Sequence, residues 1–209
     1  MPTYSYDPVH RDWHPCHSPL YLYGMKQFSL TAELPVTQLF RERGIGDFQS
    51  ACAWVQALPY GRNSRRDFTL VLTEGRGACS GKHALLAALA EENGETDIEL
   101  IAGIFLMSGE THPVLSGFFE GKPYTVLPEC HCYLRCNGER FDYTSTGNGM
   151  ARIAPKIVRE QRIEPHQVIE WKPKIHQEYI RGWLRRNPQI ALTFEEVWAD
   201  RETCIALLS

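Results

Sequence analysis

Residues 130–144, CHCYLRCNGERFDYT, leave this chain few ways to fold. Asn137-Gly138 is the strongest short hairpin signal, because a type I′ turn needs positive φ at both central positions. A two-residue turn also sets the register. Cys136 pairs with Glu139, Leu134 with Phe141, Tyr133 with Asp142 and His131 with Thr144. Side chains alternate along a strand. His131, Tyr133, Asp142 and Thr144 therefore share one face, and Cys130, Cys132, Leu134, Cys136, Phe141 and Tyr143 share the other. The second face reads as core. On the first, Asp142 is the diagonal neighbour of His131, within reach of a hydrogen bond that would fix the imidazole tautomer.

The other elements follow from caps and periodicity. Pro35 opens a short helix through Arg43 that Gly44 closes, and Asp47 caps a second helix that ends at Pro59. A polar loop, PYGRNSRRD, leads to an expected strand FTLVL, Phe68–Leu72. From Cys79 the pattern turns helical and Gly94 stops it. Ile98–Met107 reads as a buried strand, and Tyr124–Leu127 as a short one. Beyond about residue 150 the chain offers one strand and two helices. One helix spans roughly Lys174 to Arg186; the other starts at Thr193, with Glu196 completing a capping box. This order predicts an α+β domain with an antiparallel sheet. The expected divisions are an irregular arm over 1–34, a core over 35–150, and a strand and helices over 151–209 that pack on the core.

Composition narrows the function classes. Lys and Arg number 22 against 25 Asp and Glu, so no basic excess points to nucleic acid. Apolar runs fall well short of the ~20 residues that span a bilayer. The first residues, MPTYSYDPVHRDWHP, lack the pattern of a secretory signal. The expectation is a cytoplasmic protein with reduced thiols. Seven cysteines, an odd number, then need another explanation than staples. Cys52, Cys130, Cys132 and Cys136 read as small buried hydrophobes, and Cys204 lies in the last helix. Cys16 sits unassigned in a His-rich arm.

Cys79 differs. It lies between a glycine-rich turn and the first turn of a helix, where unpaired N–H groups and the positive dipole end favour a thiolate. The same N–H groups suit an oxyanion formed when that thiolate attacks a carbonyl. Lys82 adds positive charge nearby. His83, four residues on, shares the helical face of Cys79; beside Ala84 and Leu85 and with no obvious carboxylate, it reads as structural.

The segment GRGACSGKHALLAALAEENG resembles the nucleophile helix of the transglutaminase-like superfamily, and HCYL and FDYT resemble its strand histidine and strand aspartate. The resemblance covers roughly residues 50–145. Its hairpin is tighter than the gap that the family often has between these two motifs. The resemblance implies a papain-like fold of a single-domain bacterial type, with the nucleophile helix packed on the sheet. It also implies Cys79 as nucleophile, His131 as general base and acid, and Asp142 as the orienting carboxylate. In papain-like folds the side chain completing the oxyanion hole lies upstream of the cysteine; Gln56, Tyr60 and Asn63 are the polar candidates. The superfamily holds transglutaminases, cysteine proteases, peptide:N-glycanases and relatives without the triad. The implied chemistry is attack on an amide or ester carbonyl of a peptide or small acyl substrate, through an acyl-thioester, with no cofactor.

Two alternatives stand beside it. One is a catalytically silent binding module. The other is a structural zinc site drawn from Cys130, His131, Cys132 and Cys136 with His10, His14, Cys16 and His17. The hairpin register opposes the second: His131 points away from Cys130 and Cys132, and Cys132 and Cys136 lie about 13 Å apart along a strand. The tryptophans at 54, 171, 183 and 198 read as core. His112, His166 and His176 read as solvent-facing or capping, and Lys172, Lys174, Arg185 and Arg186 as a solvated face.

Overall fold

The computed structural model describes residues 21–22, 24–147 and 149–208. A two-stranded ribbon, β1 (Tyr21–Leu22) and β2 (Met25–Lys26), precedes α1 (Pro35–Arg41) and α2 (Phe48–Ala57). Then come α3 (Leu70–Glu74), α4 (Cys79–Glu92), β3 (Ile98–Met107) and α5 (Ser116–Phe119). The long β4 (Leu127–Cys136) is followed by β5 (Glu139–Phe141), α6 (Gly149–Ile153) and β6 (Ile157–Ile163). Helices α7 (Trp171–Arg186) and α8 (Phe194–Leu207) complete the chain. The four-stranded sheet runs β5-β4-β3-β6 and is antiparallel throughout, so the fold is α+β as expected. Because β6 pairs with β3, the tail supplies an edge of the main sheet.

Helix α4 is the centre of the molecule. Every residue from Lys82 to Ala90 is buried, as expected of a helix covered on all sides. It packs on β3 and β4 beneath and against α1, α2 and α3 above. The apolar faces around it form one core with Cys52, Cys130, Cys132, Leu134 and Cys136. A second core gathers Phe105, Met107, Leu127, Ile180, Trp183, Val197 and Cys204 between the sheet and the C-terminal helices. The caps behave as the sequence implies. Asp47 accepts from the Ser50 amide at 2.8 Å, and Thr193 and Glu196 form the reciprocal box on α8.

Three expectations need correction. Phe68–Leu72 is no strand. The Asp67 carboxylate accepts from the Thr69 amide and hydroxyl, turning the chain into the one-turn helix α3. A run of five apolar and β-branched residues fits either state, and here the Asp67 turn ahead of it decides. Gly77 then passes so close to α3 that a Cβ would stand 2.9 Å from Val71 Cγ2. Tyr124–Leu127 is no separate strand either. The Tyr124 hydroxyl donates to Asp200 of α8, and β4 begins only at Leu127.

The third correction concerns the hairpin. Asn137 and Gly138 adopt φ of 51° and 81°, and Cys136, Arg135 and Leu134 pair with Glu139, Arg140 and Phe141 in the expected register. The ladder stops there, so the Tyr133–Asp142 and His131–Thr144 pairs do not form. The next backbone groups bond to α4 instead. The Tyr143 amide donates to His83 Nε2 at 2.7 Å, and Lys82 Nζ donates to the Thr144 carbonyl at 2.8 Å.

Candidate active site

The early end of β5 leaves one flank of β4 open beside the start of α4, and the chemistry-bearing side chains gather there. His131 Nε2 lies 2.9 Å from Asp142 Oδ2. That leaves Nδ1 available to the thiol of Cys79, whose charge acts on the ring. The Cys132 backbone amide also favours the charged form of the Cys79 sulfur. Asp142 is anchored in turn by the Thr144 amide, which donates to its Oδ1 at 2.9 Å. Asp142 thus bonds to His131 and the charges of Cys79 and His131 act on one another, although Asp142 reaches His131 from a loop and not from a paired strand.

The electrostatics follow from this contact set. Burial would push the Cys79 thiol up. The charges of Lys172 and His131, helped by the Cys132 amide, outweigh it and hold the thiol at about 6. Burial would likewise lower His131, but the Asp142 carboxylate and the Cys79 thiolate raise it to about 10. Burial works against the Asp142 charge too, yet the imidazolium keeps its carboxyl well below the usual carboxylate range. At neutral pH the site is a thiolate–imidazolium pair oriented by a carboxylate.

His83 holds the frame. Its Nδ1–H donates to the Cys79 carbonyl at 2.8 Å while Nε2 accepts from the Tyr143 amide, so one neutral tautomer bridges the nucleophile's helix and the Asp142 loop. Burial keeps it neutral, with its pKa lowered to about 4. Its structural role stands, although a carboxylate is near after all: Asp142 Oδ1 lies 3.6 Å from Nε2. Lys82 is buried, with Nζ donating to Leu58 and Thr144 carbonyls.

A cleft of about 450 Å³ opens on Cys79 between the 60–68 loop and helices α7 and α8. Ala78, Cys79, Ser80 and Gly81 line it, and Ala78 at the N-cap carries no side chain that could satisfy the first-turn amides. The three upstream candidates part ways here. Gln56 donates to the Ser145 carbonyl and is not among the lining residues. Asn63 lines the cleft, but its amide N–H groups are spent on Glu74 and the Arg76 carbonyl. Tyr60 lines the cleft; burial, then the charge of Cys79, raises its phenol and keeps the hydroxyl a proton donor.

The C-terminal helices contribute residues that the sequence reading placed elsewhere. Lys172 is half-buried in the cleft wall and does not belong to a solvated face. His176 is buried, with Nε2 2.9 Å from the Pro128 carbonyl, not solvent-facing. Arg201 of α8 clamps Glu129 of β4 through both carboxylate oxygens, at 2.6 and 2.8 Å. Only Glu129 carried a signal: it alternates with His131 in an otherwise buried strand. Among the described residues no cluster of three or more His, Cys, Asp or Glu is placed to hold a metal ion. The N-terminal share of the zinc alternative, His10, His14, Cys16 and His17, lies outside them. No described helix is long and apolar enough to cross a membrane.

No known protein family and no curated protein matches the chain. Among solved structures it is similar to a protein from Cytophaga hutchinsonii provisionally described as a cysteine protease, with a TM-score of 0.38 and 16% identity. The match covers 60% of this chain and 41% of that one.

Proposed function

We propose that this chain is a cysteine-dependent hydrolase or acyltransferase with a transglutaminase-like, papain-like catalytic core. One arrangement carries the reading: a buried thiol at the start of α4, set between Lys172 and a His131 that is itself bonded to Asp142, so that their charges pull it down to about 6. Structural cysteines in apolar surroundings shift the other way.

In this reading the Cys79 thiolate attacks an amide or ester carbonyl carbon. The resulting oxyanion lies against the open amides of the α4 first turn and the Tyr60 hydroxyl. The His131 imidazolium gives its proton to the departing amine or alkoxide, leaving an acyl-thioester. Neutral His131 then takes a proton from water or an amine, whose attack releases the acyl group and restores the thiolate. Asp142 holds the ring in one tautomer throughout and favours its charged form.

The test is a burst experiment with an activated ester such as p-nitrophenyl acetate. One equivalent of nitrophenol is expected in the burst, with a matching acyl mass on the peptide holding Cys79. Cys79→Ser should lower turnover by about 10³-fold or more. Acylation spread over several residues, or turnover that survives the substitution, would remove the proposal.

A further inference from the structure

The charges lining the cleft are not balanced. Among the described residues its walls hold five cationic and three anionic side chains. Each carboxylate already has an arginine: Glu202 holds Arg62 at 2.6 Å, Asp67 holds Arg65 at 3.4 Å, and Glu129 holds Arg201 at 2.6 Å. Arg66 and Lys172 are left over. Among the described residues Arg66 donates only to the Ile169 carbonyl, at 3.2 Å. Lys172 makes no hydrogen bond and no ion pair among the described residues.

The position of Lys172 is a costly one for an unpaired ammonium. It is half-buried and is the second residue of α7, where the helix dipole disfavours a cation. The thiolate of Cys79 foremost holds its charge against burial. Acylation consumes that thiolate. Lys172 would then face the cleft with no counter-charge except Glu129, which is already clamped by Arg201. A substrate that brings its own anion restores the balance at the step where it is lost.

We infer that Lys172 and Arg66 form an anion subsite beside Cys79, and that the preferred acyl donor carries a carboxylate a few bonds from the scissile carbonyl. The inference deepens the proposed function and depends on it for the word donor, but the subsite itself can be probed without turnover. A volume of about 450 Å³ suits a carboxylate-bearing acyl group with the start of a leaving group.

Two haloacetyl reagents of the same shape read the subsite directly. Iodoacetate carries a carboxylate and iodoacetamide does not. Both alkylate the same thiolate, so their rate ratio at Cys79 cancels any change in thiol pKa. In the intact protein this ratio should exceed that of N-acetylcysteine by about tenfold, the order supplied by one charge-assisted hydrogen bond. It should fall towards the free-thiol value in Lys172→Met, fall part of the way in Arg66→Gln, and shrink as salt is raised. A ratio equal to that of the free thiol, or one that both substitutions leave unchanged, would overturn the subsite. Loss of preferential Cys79 labelling by both reagents would instead overturn the catalytic reading. Circular dichroism on each variant, with Arg66 at the exposed rim as the milder change, separates misfolding from lost recognition.

Discussion

At the scale of single residues, the site consists of groups that each need two partners. His131 has Asp142 on one nitrogen and the charge of Cys79 acting on its ring; His83 has the Cys79 carbonyl on one nitrogen and the Tyr143 amide on the other. The first histidine is held charged and the second neutral, because only the first faces two anions. His83 therefore has a signature in stability. Its folded pKa of about 4 lies below the unfolded 6.5, so the unfolded state binds more protons between these values. Stability is fully present above 6.5 and falls as the pH drops towards 4, by about 3 kcal/mol from this group alone. His83→Gln should flatten that slope in urea titrations run from pH 7 to pH 4; an unchanged slope would exclude the bridging role. Tyr60→Phe tests the oxyanion contact. It should lower kcat by about 10²-fold with little change in KM, whereas a merely lining tyrosine would alter KM first.

At the scale of elements, what the sequence made legible were the features fixed by local chemistry. The Asn137-Gly138 turn set a register that β4 and β5 keep for all three of their pairs. The Thr193–Glu196 box and the Asp47 cap mark real helix starts. What stayed hidden were choices made by distant groups. Lys82 and His83 divert residues 143–144 from the sheet, and nothing within CHCYLRCNGERFDYT announces it. Lys172 joins the cleft because α7 folds back on β4, a placement that helix periodicity does not encode. The Glu129–Arg201 clamp is the contact to break at this scale. Glu129→Gln leaves a nearly buried guanidinium without its counter-charge and should cost about 3–5 kcal/mol, measured by thermal denaturation. Replacing both partners with apolar residues should recover much of that loss. A loss below about 1 kcal/mol would mean that the clamp does not bind α8 to the sheet.

At the scale of the whole molecule, one thiol is separated from the others by its surroundings. Burial pushes Cys52, Cys130, Cys132, Cys136 and Cys204 upward, Cys130 and Cys204 to about 12. Cys79 is also buried, yet it moves down. Among the six described cysteines, one is thus set apart as a nucleophile from five packed thiols, and Cys16 lies outside the described residues. The ion pair exists from about pH 6, where Cys79 ionises, to about pH 10, where His131 loses its proton. Activity should accordingly rise through the first value and fall through the second. The most direct measurement is the rate of iodoacetamide labelling at every cysteine of the folded protein, followed by peptide mass spectrometry from pH 4 to pH 10. Cys79 should label far ahead of Cys52, Cys130, Cys132, Cys136 and Cys204, with an inflection near 6 that moves upward in Asp142→Asn. An inflection near the free-thiol value of about 8.5, or labelling at equal rates across the buried thiols, would contradict a thiolate set apart at Cys79.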